Sequence, residues 1–412
     1  MPEFLQLLPP SQALERLLAA LPEPSAIPTE RLPTEQALDR VLAMAVQAPH
    51  PLPPFARATV DGYAVRAVDT HGASPSLPAY LKLIGEVLMG LTTELVIGKG
   101  QAVVVHTGGM LPAGADAVVM VEDTQAVRED EIEVLKPAGV GENILNEGED
   151  VKKGEEVLTP GMRLRAQEIG GLMALGITQV EVAKRPKVGI LSTGDEVVPP
   201  EAAPGPGQVR DINSYTLSAL VSKAGGQPVR RGVVQDDFEA LLTATKQAHA
   251  EDDLVVITAG SSVSTRDITA EVIASLGDPG VLVHGVSIKP GKPTILAVAG
   301  GVPLIGLPGN PVSALVVAGL FVVPVVRRML GLQGPSLQPW VPASMAVNVA
   351  SETGREDYVP VRLEPSPEGW IAEPVYGRSN LIFTLVRAKG LVRIPPEATG
   401  LAAGEQVKVY LF

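Results

Sequence analysis

The spacing of hydrophobic residues changes along the chain, and each change predicts a different kind of element. Three stretches have apolar positions three and four apart, which predicts helices. They are 11–21, 34–48 and 164–175. Between 51 and 144 the apolar residues fall in short Val- and Leu-rich runs separated by glycine, a pattern typical of strands. We therefore expect a helical or mixed N-terminal module, 1–50 plus 145–184, with a β module, 51–144, inserted into it.

Strand-like and helix-like runs alternate over 185–331, which is typical of a doubly wound parallel sheet with helices on both faces. The predicted strands are 188–191, 229–234, 254–258, 294–299 and 302–307. The predicted helices are 213–223, 238–250 and 268–275. The apolar stretch 311–326 is shorter than the ~18 residues that a membrane span needs, so we expect it to form a buried helix.

The last part of the chain, 332–412, returns to short strands separated by proline and glycine, which predicts a small β-barrel or sandwich. The expected fold class is therefore multidomain α/β plus β. It combines N-terminal helical and β modules, a doubly wound α/β domain and a small C-terminal β-barrel.

Composition and charge narrow the classes of function. The 412 residues carry a net charge of −13, which disfavours non-specific binding to nucleic acid. The absence of cysteine excludes disulfides, thiolate metal sites and a cysteine nucleophile, and the five histidines are scattered. Any metal should be a hard, oxygen-ligated ion such as Mg²⁺. Since no basic segment precedes an apolar core at the N-terminus, we expect a cytoplasmic protein without a membrane partner.

Two proline- and glycine-rich motifs, 289–293 (KPGKP) and 307–311 (LPGNP), carry the clearest chemical signal. The first places Lys289 and Lys292 on a stiff turn. The second reads as a strand end that runs into a helix, where Asn310 can cap and proline suits the first helical position. A helix start with free N–H groups beside two ammonium groups predicts a site for phosphate, molybdate or a similar tetrahedral anion.

Polar side chains follow several predicted strands, and such groups gather at one edge of a doubly wound sheet. They are Glu196, Asp236, Ser262 and Asp267. Together with the two lysines they predict a rim with acids for a metal and cations for an anion. Simpler interpretations stay open, because Asp236 and Asp267 precede predicted helices and could cap them, and Glu196 could be a solvated acid.

Read in order, the motifs resemble the molybdopterin molybdenumtransferase family, and they are similar also to the E domain of gephyrin. The further markers are Asp61-Gly62-Tyr63-Ala64, Thr107-Gly108, Leu111-Pro112-x-Gly114-Ala115-Asp116, Gly148-Glu149-Asp150, Ser192-Thr193-Gly194-Asp195-Glu196 and Gly354-Arg355. The resemblance covers nearly the whole chain. It implies that 185–331 is a molybdopterin-binding α/β domain.

The resemblance also implies roles for individual residues. Lys289, Lys292, Asp236 and Asp267 would be catalytic, and Glu196, Asp236 and Asp267 would hold Mg²⁺. The residues implied to bind the substrates are Asp61, Thr107, Asp150, Glu196, Ser262, Pro308, Pro311, Ser313, Arg355 and Ser379. Of these, Asp61 and Thr107 would reach across a homodimer whose subunits share the active site.

The implied reaction inserts molybdenum from molybdate into adenylylated molybdopterin and releases AMP. Its implied partners include molybdopterin adenylyltransferase and apo-molybdoenzymes. Two other functions stay open: molybdopterin adenylyltransferase, whose loop the run 265–269 (TRDIT) resembles, and a non-catalytic scaffold of the gephyrin type. The KPGKP and DGYA motifs favour the molybdenumtransferase.

For some of these residues a purely structural role also stays open. Asp61 could belong to a tight turn, Thr107 to a strand exit and Ser313 to the packing of a helix, and Arg355 could form a surface ion pair with the acids that follow it.

One loop departs from the family pattern: in 259–264 one glycine of the family motif is missing and Ser264 replaces another. Lost glycines restrict close backbone approach, so we expect altered geometry on the phosphate side.

Overall fold

The structure, a computed structural model, describes residues 7–22, 27–259, 263–334 and 338–412, with only the backbone for 263–267. Helix α1, Pro10–Ala20, begins with proline in its first turn and buries Ala13 and Leu17 in the core of the α/β domain. The first predicted helix is therefore confirmed.

The predicted helix over 34–48 is wrong. Thr34–Gln36 forms a single 3₁₀ turn, and the chain then extends to the strand Val46–Gln47. Ala37, Val41 and Leu42 are buried, whereas Leu38 and Met44 are exposed. The backbone N–H of Leu42 donates to the carbonyl oxygen of Met162 at 2.8 Å and so makes no helical hydrogen bond. Hydrogen bonds to a distant segment form here in place of a helix. The spacing of apolar residues can indicate burial, but it does not identify the segment with which the backbone pairs.

The rest of the first module consists of short two-stranded pairings around helix α2, Ala166–Ala174. The pairings are Thr29–Pro33 with Gln179–Ala183, Val46–Gln47 with Glu156–Leu158, and Arg57–Ala58 with Ile144–Leu145. Helix α2 begins with a capping box, in which Glu168 accepts from the backbone N–H of Arg165 at 2.7 Å and from its guanidinium. This confirms the third predicted helix.

The β module is a six-stranded mixed sheet, as its short apolar runs predict. In spatial order its strands are Ala117–Met120, Gly62–Val65, Gln101–Val105, Ala79–Glu86, Glu131–Val134 and Thr124–Arg128. A side chain at Gly62 would place its Cβ 2.0 Å from the carbonyl oxygen of Val119, so only glycine fits. The pairing of Gly62 with Val105 places the neighbouring residues Asp61 and Thr107 side by side.

The α/β domain contains a six-stranded sheet with helices on both faces, so the doubly wound prediction is confirmed. Its strands in spatial order are Gln227–Val234, Lys187–Thr193, Leu254–Ala259, Val302–Pro308, Ile295–Ala299 and Pro279–His284. The first four are parallel, and Ile295–Ala299 runs antiparallel to both of its neighbours, so the sheet is mixed and not purely parallel.

Helices cover both faces of this sheet. Helices α3, Asn213–Ala224, and α6, Pro311–Met329, lie on one face together with α1, and α4, Phe238–Glu251, and α5, Val263–Ala274, lie on the other. Helix α6 is long and apolar enough to span a bilayer by length and composition, but 11 of its 19 residues are buried in the described structure. It therefore forms the core of the domain, as predicted.

The C-terminal domain is a closed β-barrel, which confirms the second part of the fold class. Its strands in order are Glu356–Ser366, Gly369–Pro374, Trp340–Met345, Gln406–Leu411 and Gly390–Ile394. The last pairs again with the first and closes the barrel. A short strand of the α/β domain, Ile288–Lys289, also joins its edge through Glu356 and Asp357. Smaller elements are Val349–Ala350 paired with Gly400–Leu401, Val197–Val198 paired with Val209–Arg210, and helix α7, Phe383–Arg387.

Candidate functional site

The KPGKP turn lies directly on helix α6. Gly291 has a φ of +118°, and a Cβ there would lie 2.4 Å from Cγ2 of Val317. A residue with a side chain would therefore clash with the helix and adopt an unfavourable backbone conformation. Lys289 and Lys292 flank this glycine and are both exposed. The sequence has thus fixed the backbone of a turn that presents two ammonium groups to solvent.

Arg355 joins this turn through a buried carboxylate. Asp357, whose side chain is 6% exposed, accepts from Nε of Arg355 at 2.8 Å, and its other oxygen lies 3.9 Å from Nζ of Lys289. Arg355 also pairs with the exposed Glu352 at 2.7 Å. The ion pair between Arg355 and a neighbouring acid is therefore present, but that acid is buried and links Arg355 to a predicted site lysine.

The start of helix α6 differs in part from the prediction. Asn310 occupies the N-cap position without a capping hydrogen bond from its side chain, and Pro311 follows it. The N–H of Val312 donates to the carbonyl oxygen of Ser379 at 3.0 Å, so this group is already used. Ser313 is buried at 4% exposure. The structure therefore brings Ser379 to the helix start, next to Ser313, as a loop of the C-terminal domain.

An acidic edge lies at the ends of two neighbouring parallel strands. Asp236 follows Gln227–Val234, and its N–H donates to Oδ1 of Asp195 at 3.2 Å. Burial, together with the negative charges of Asp195 and Glu196, raises the pKa of Asp236 above its usual value. No cation compensates these carboxylates among the described side chains.

Three buried side-chain atoms near this edge have no hydrogen-bond partner in the described part of the chain. They are Oγ1 of Thr193, Oδ1 of Asn213 and Oδ1 of Asp236. Asn213 donates through Nδ2 to the carbonyl oxygen of Gly309, so it touches the LPGNP motif. Buried polar atoms are normally satisfied, and unsatisfied ones often mark a ligand site. Asp195 and Asp236 also line an open cavity of about 850 Å³.

Asp61 and Thr107 form a hydrogen-bonded pair in the β module. Oδ1 of Asp61 accepts from the backbone N–H of Thr107 at 2.7 Å and from its hydroxyl at 3.0 Å. The backbone hydrogen bond is the largest cause of a lowered pKa for Asp61. Both residues are exposed. The hydrophobic clusters of this module contain no residue of the α/β domain, so the described structure gives the pair no packing link to Lys289 within one chain.

The remaining predicted residues are placed as follows. Pro308 and Pro311 are buried at the strand-to-helix turn, and Asp150 and Glu196 are exposed. Ser262 and the side chain of Asp267 lie outside the described residues.

Neither predicted cap is found, because Asp237 caps α4 by accepting from Ala240 at 2.9 Å and the backbone of Asp267 lies inside α5. Among the described side chains no three His, Asp or Glu residues converge closely enough to hold a metal ion. Glu196 and Asp236 therefore do not complete a metal site by themselves, and the contribution of Asp267 stays a prediction.

Three family descriptions match successive parts of the chain. Residues 8–176 match "MoeA N-terminal region (domain I and II)", 189–328 match "Probable molybdopterin binding domain" and 342–412 match "MoeA C-terminal region (domain IV)". The chain is 33% identical over 391 residues to the molybdopterin molybdenumtransferase of Nostoc, covering 92% of this chain and 88% of the relative. The chain belongs to the molybdopterin molybdenumtransferase family.

Other relatives of this family agree. The molybdopterin molybdenumtransferase of Bacillus subtilis is 32% identical over 387 residues, 93% of this chain and 90% of the relative. A crystal structure of the MoeA molybdopterin biosynthesis protein of Pyrococcus horikoshii OT3 superposes with a TM-score of 0.86 at 34% identity, covering 99% of this chain and all of that chain. The chain is therefore an enzyme of molybdenum cofactor biosynthesis, and its molybdopterin-binding domain is the α/β domain described above.

In this molybdenumtransferase, four polar residues that the sequence analysis did not select lie beside the predicted site residues. They are Thr193, Asp195, Asn213 and Asp357. Thr193 and Asp195 belong to a motif used for the family resemblance, and the strand-end rule could have selected them. Asp357 could not be found in this way, because only the pairing of Ile288–Lys289 with the barrel brings it to the lysines.

Proposed function

We propose that this enzyme transfers molybdenum from molybdate to adenylylated molybdopterin and releases AMP. The observation that supports this best is the cluster of Lys289, Asp357 and Arg355, which two domains assemble beside the start of α6. Such a cluster of cations, next to a helix N-terminus, suits a small dianion. Membership of the family supplies the pterin substrate class.

In this proposal Lys289, Lys292 and Arg355 neutralise molybdate as it approaches the anionic pterin. Ser313 and Ser379, at the start of α6, add hydroxyl donors. The dithiolene sulfurs of the pterin bind molybdenum while the oxygens they displace take up protons and leave as water, and a water molecule hydrolyses the phosphoanhydride so that AMP leaves. No protein nucleophile is required, since the protein contributes positioning and electrostatic stabilisation.

The acidic edge fits a divalent cation. Asp236 has a buried oxygen without a partner, and its raised pKa results from burial and from the charge of Asp195. We propose that Asp195 and Asp236 hold Mg²⁺ with Glu196 and Asp267, through the oxygen ligands that this ion prefers. When bound, Mg²⁺ would polarise the phosphoanhydride.

The exposed pair of Asp61 and Thr107 completes the proposal. Since it has no packing link to the cationic turn of its own chain in the described structure, we propose that it reaches the site of a second copy in a homodimer. Asp150 belongs to the same proposed substrate surface. Molybdopterin adenylyltransferase and apo-molybdoenzymes, before and after this step, remain proposed partners in the cytoplasm.

The direct test is to mix the purified protein with adenylylated molybdopterin, Mg²⁺ and molybdate and to measure AMP. We expect AMP release that requires molybdate and yields a product that activates an apo-molybdoenzyme. Intact substrate in the presence of all components would contradict the proposal. Formation of adenylylated molybdopterin from ATP and molybdopterin would instead favour the adenylyltransferase.

A mixed-dimer experiment tests the shared site. At a molybdate concentration well below the KM of Lys292→Ala, Asp61→Ala and Lys292→Ala should each lose most activity, but co-expression with two affinity tags should yield mixed dimers with one intact site. We expect these purified mixed dimers to regain AMP release. Activity no higher than that of the two parent variants, or a fully active monomer in sedimentation, would refute the shared site.

A further inference from the structure

Asp357 is unexpected where the structure places it. A carboxylate beside an anion site repels the anion and neutralises the cations that should attract it. Nevertheless Asp357 is buried, and the two cations nearest to it are Lys289 and Arg355. Because Asp357 weakens the attraction of Lys289 and Arg355 for the anion, it must favour anion binding in another way.

The geometry shows what Asp357 provides. Its backbone is paired with Lys289 in the edge strand of the barrel, and the adjacent N–H of Glu356 donates to Ser287 at 2.9 Å. One carboxylate oxygen accepts from Nε of Arg355, and the other faces Nζ of Lys289 at 3.9 Å. Asp357 therefore holds Arg355 by a hydrogen bond and attracts the ammonium group of Lys289, which belongs to the other domain, over a longer distance.

We propose that Asp357 is a positioning residue for the oxyanion: it fixes Lys289 and Arg355 at one separation so that their remaining N–H groups face the same point. This inference rests on the proposed function of the cationic cluster. Lys and Arg lose considerable rotamer freedom when they bind a ligand. A carboxylate that holds them beforehand reduces that loss, and this preorganisation outweighs the repulsion of the anion.

The two effects of Asp357 predict opposite results for Asp357→Asn. If Asp357 only balanced charge, its removal would tighten the binding of molybdate. If it positions the cations, the binding should weaken by about tenfold, because a misplaced charged hydrogen bond is worth roughly that factor. We would titrate purified wild type and Asp357→Asn with sodium molybdate alone by calorimetry. The matched control is Glu352→Gln, which removes an exposed partner of the same arginine.

We expect weaker binding for Asp357→Asn and equal or tighter binding for Glu352→Gln. In steady-state assays the KM for molybdate should rise for Asp357→Asn while kcat at saturating molybdate is retained. Equal or tighter binding by Asp357→Asn would overturn the positioning role. Molybdate binding and AMP release by the wild type would show that the proposed function nevertheless stands.

A second variant keeps the test valid if Asp357→Asn fails to fold, since the loss of one partner of a buried ion pair is often strongly destabilising. Asp357→Glu keeps the charge but moves the carboxylate by one methylene. Positioning predicts weaker molybdate binding for this variant too, whereas a charge-balancing role predicts wild-type affinity. Wild-type affinity in folded Asp357→Glu would therefore refute the inference, and failure of the wild type to bind molybdate would refute the proposed function with it.

Discussion

Lys289 and Arg355 share the buried carboxylate of Asp357, whereas Asp236 is half-buried beside Asp195 and has one buried oxygen without a hydrogen-bond partner among the described residues. The cationic edge is thus electrostatically compensated by the protein itself. The acidic edge is not compensated, and the pKa of Asp236 is raised as a result. The difference suggests that the cationic edge is preorganised for an exchangeable anion, and that the acidic edge is completed only when a cation binds.

The largest effect is expected for Asp236→Asn, which removes one charge of the acidic edge. We expect AMP release to fall by about a hundredfold, the upper end of the range found when groups that support a metal site are lost. Stability should change in the opposite direction. Because the folded pKa is raised, the folded state loses stability as pH rises from 3.8 through that pKa. Asparagine removes this loss, so the thermal midpoint at pH 7 should rise.

The matched control is the neighbouring residue. Asp237 is the exposed N-cap of α4, and asparagine caps a helix about as well as aspartate. Asp237→Asn should therefore keep both the thermal midpoint and the rate of AMP release. Should Asp236→Asn be less stable than wild type at pH 7, the acidic edge would have an internal partner and the comparison would fail.

Two residues that the sequence analysis did not select, Asp195 and Asp357, differ in whether a sequence rule could have found them, and the reason is physical. Asp195 and Asp236 follow strands that are neighbours in the sheet, so the rule about strand ends brings them together. The contact of Asp357 with Lys289 depends on an added strand between two domains, which no local pattern encodes. The helix expected over 34–48 failed similarly, because distant segments satisfy the backbone there.

Sequence patterns succeeded wherever the local preference and the tertiary environment agree. The burial of α6, the alternation in the α/β domain and the glycine of the KPGKP turn are of this kind. No local preference specifies the roles that we propose for Asp61 and Thr107 in a second subunit. They depend on an arrangement of two chains, and they stay predictions.

Lys292→Ala tests the cationic edge, and we expect its effect on AMP release to be smaller than that of Asp236→Asn. Lys292 is exposed on the turn, so we expect the fold to remain and the KM for molybdate to rise by roughly ten- to a hundredfold, the value of one charged hydrogen bond. The measurement is AMP release against molybdate concentration. Lys246→Ala, an exposed lysine of α4, serves as the control for lost surface charge. An unchanged molybdate requirement in Lys292→Ala would remove this lysine from the cationic edge.

The smallest effect is expected for Glu168, whose carboxylate, like that of Asp357, is paired with an arginine. The guanidinium and backbone N–H of Arg165 lower the pKa of Glu168 to about 2. The stabilisation from Glu168 is therefore present above its usual pKa of 4.5 and is lost as pH falls from there toward 2. Glu168→Gln should lower stability at pH 7 by about 1 kcal/mol, the typical value of a helix cap.

Thermal unfolding at pH 7 and near pH 3 would check this, with AMP release unchanged because α2 is outside the site. Wild type and Glu168→Gln should differ at the higher pH and differ less at the lower one, whereas Asp236→Asn should show its stabilisation only at the higher pH. At pH 7, Glu168→Gln should lower the stability and Asp236→Asn should raise it. The signs differ because Arg165 compensates the charge of Glu168, whereas no cation compensates Asp236 among the described side chains. The same sign for both would mean that compensation by neighbours does not distinguish the acidic edge from an ordinary structural carboxylate.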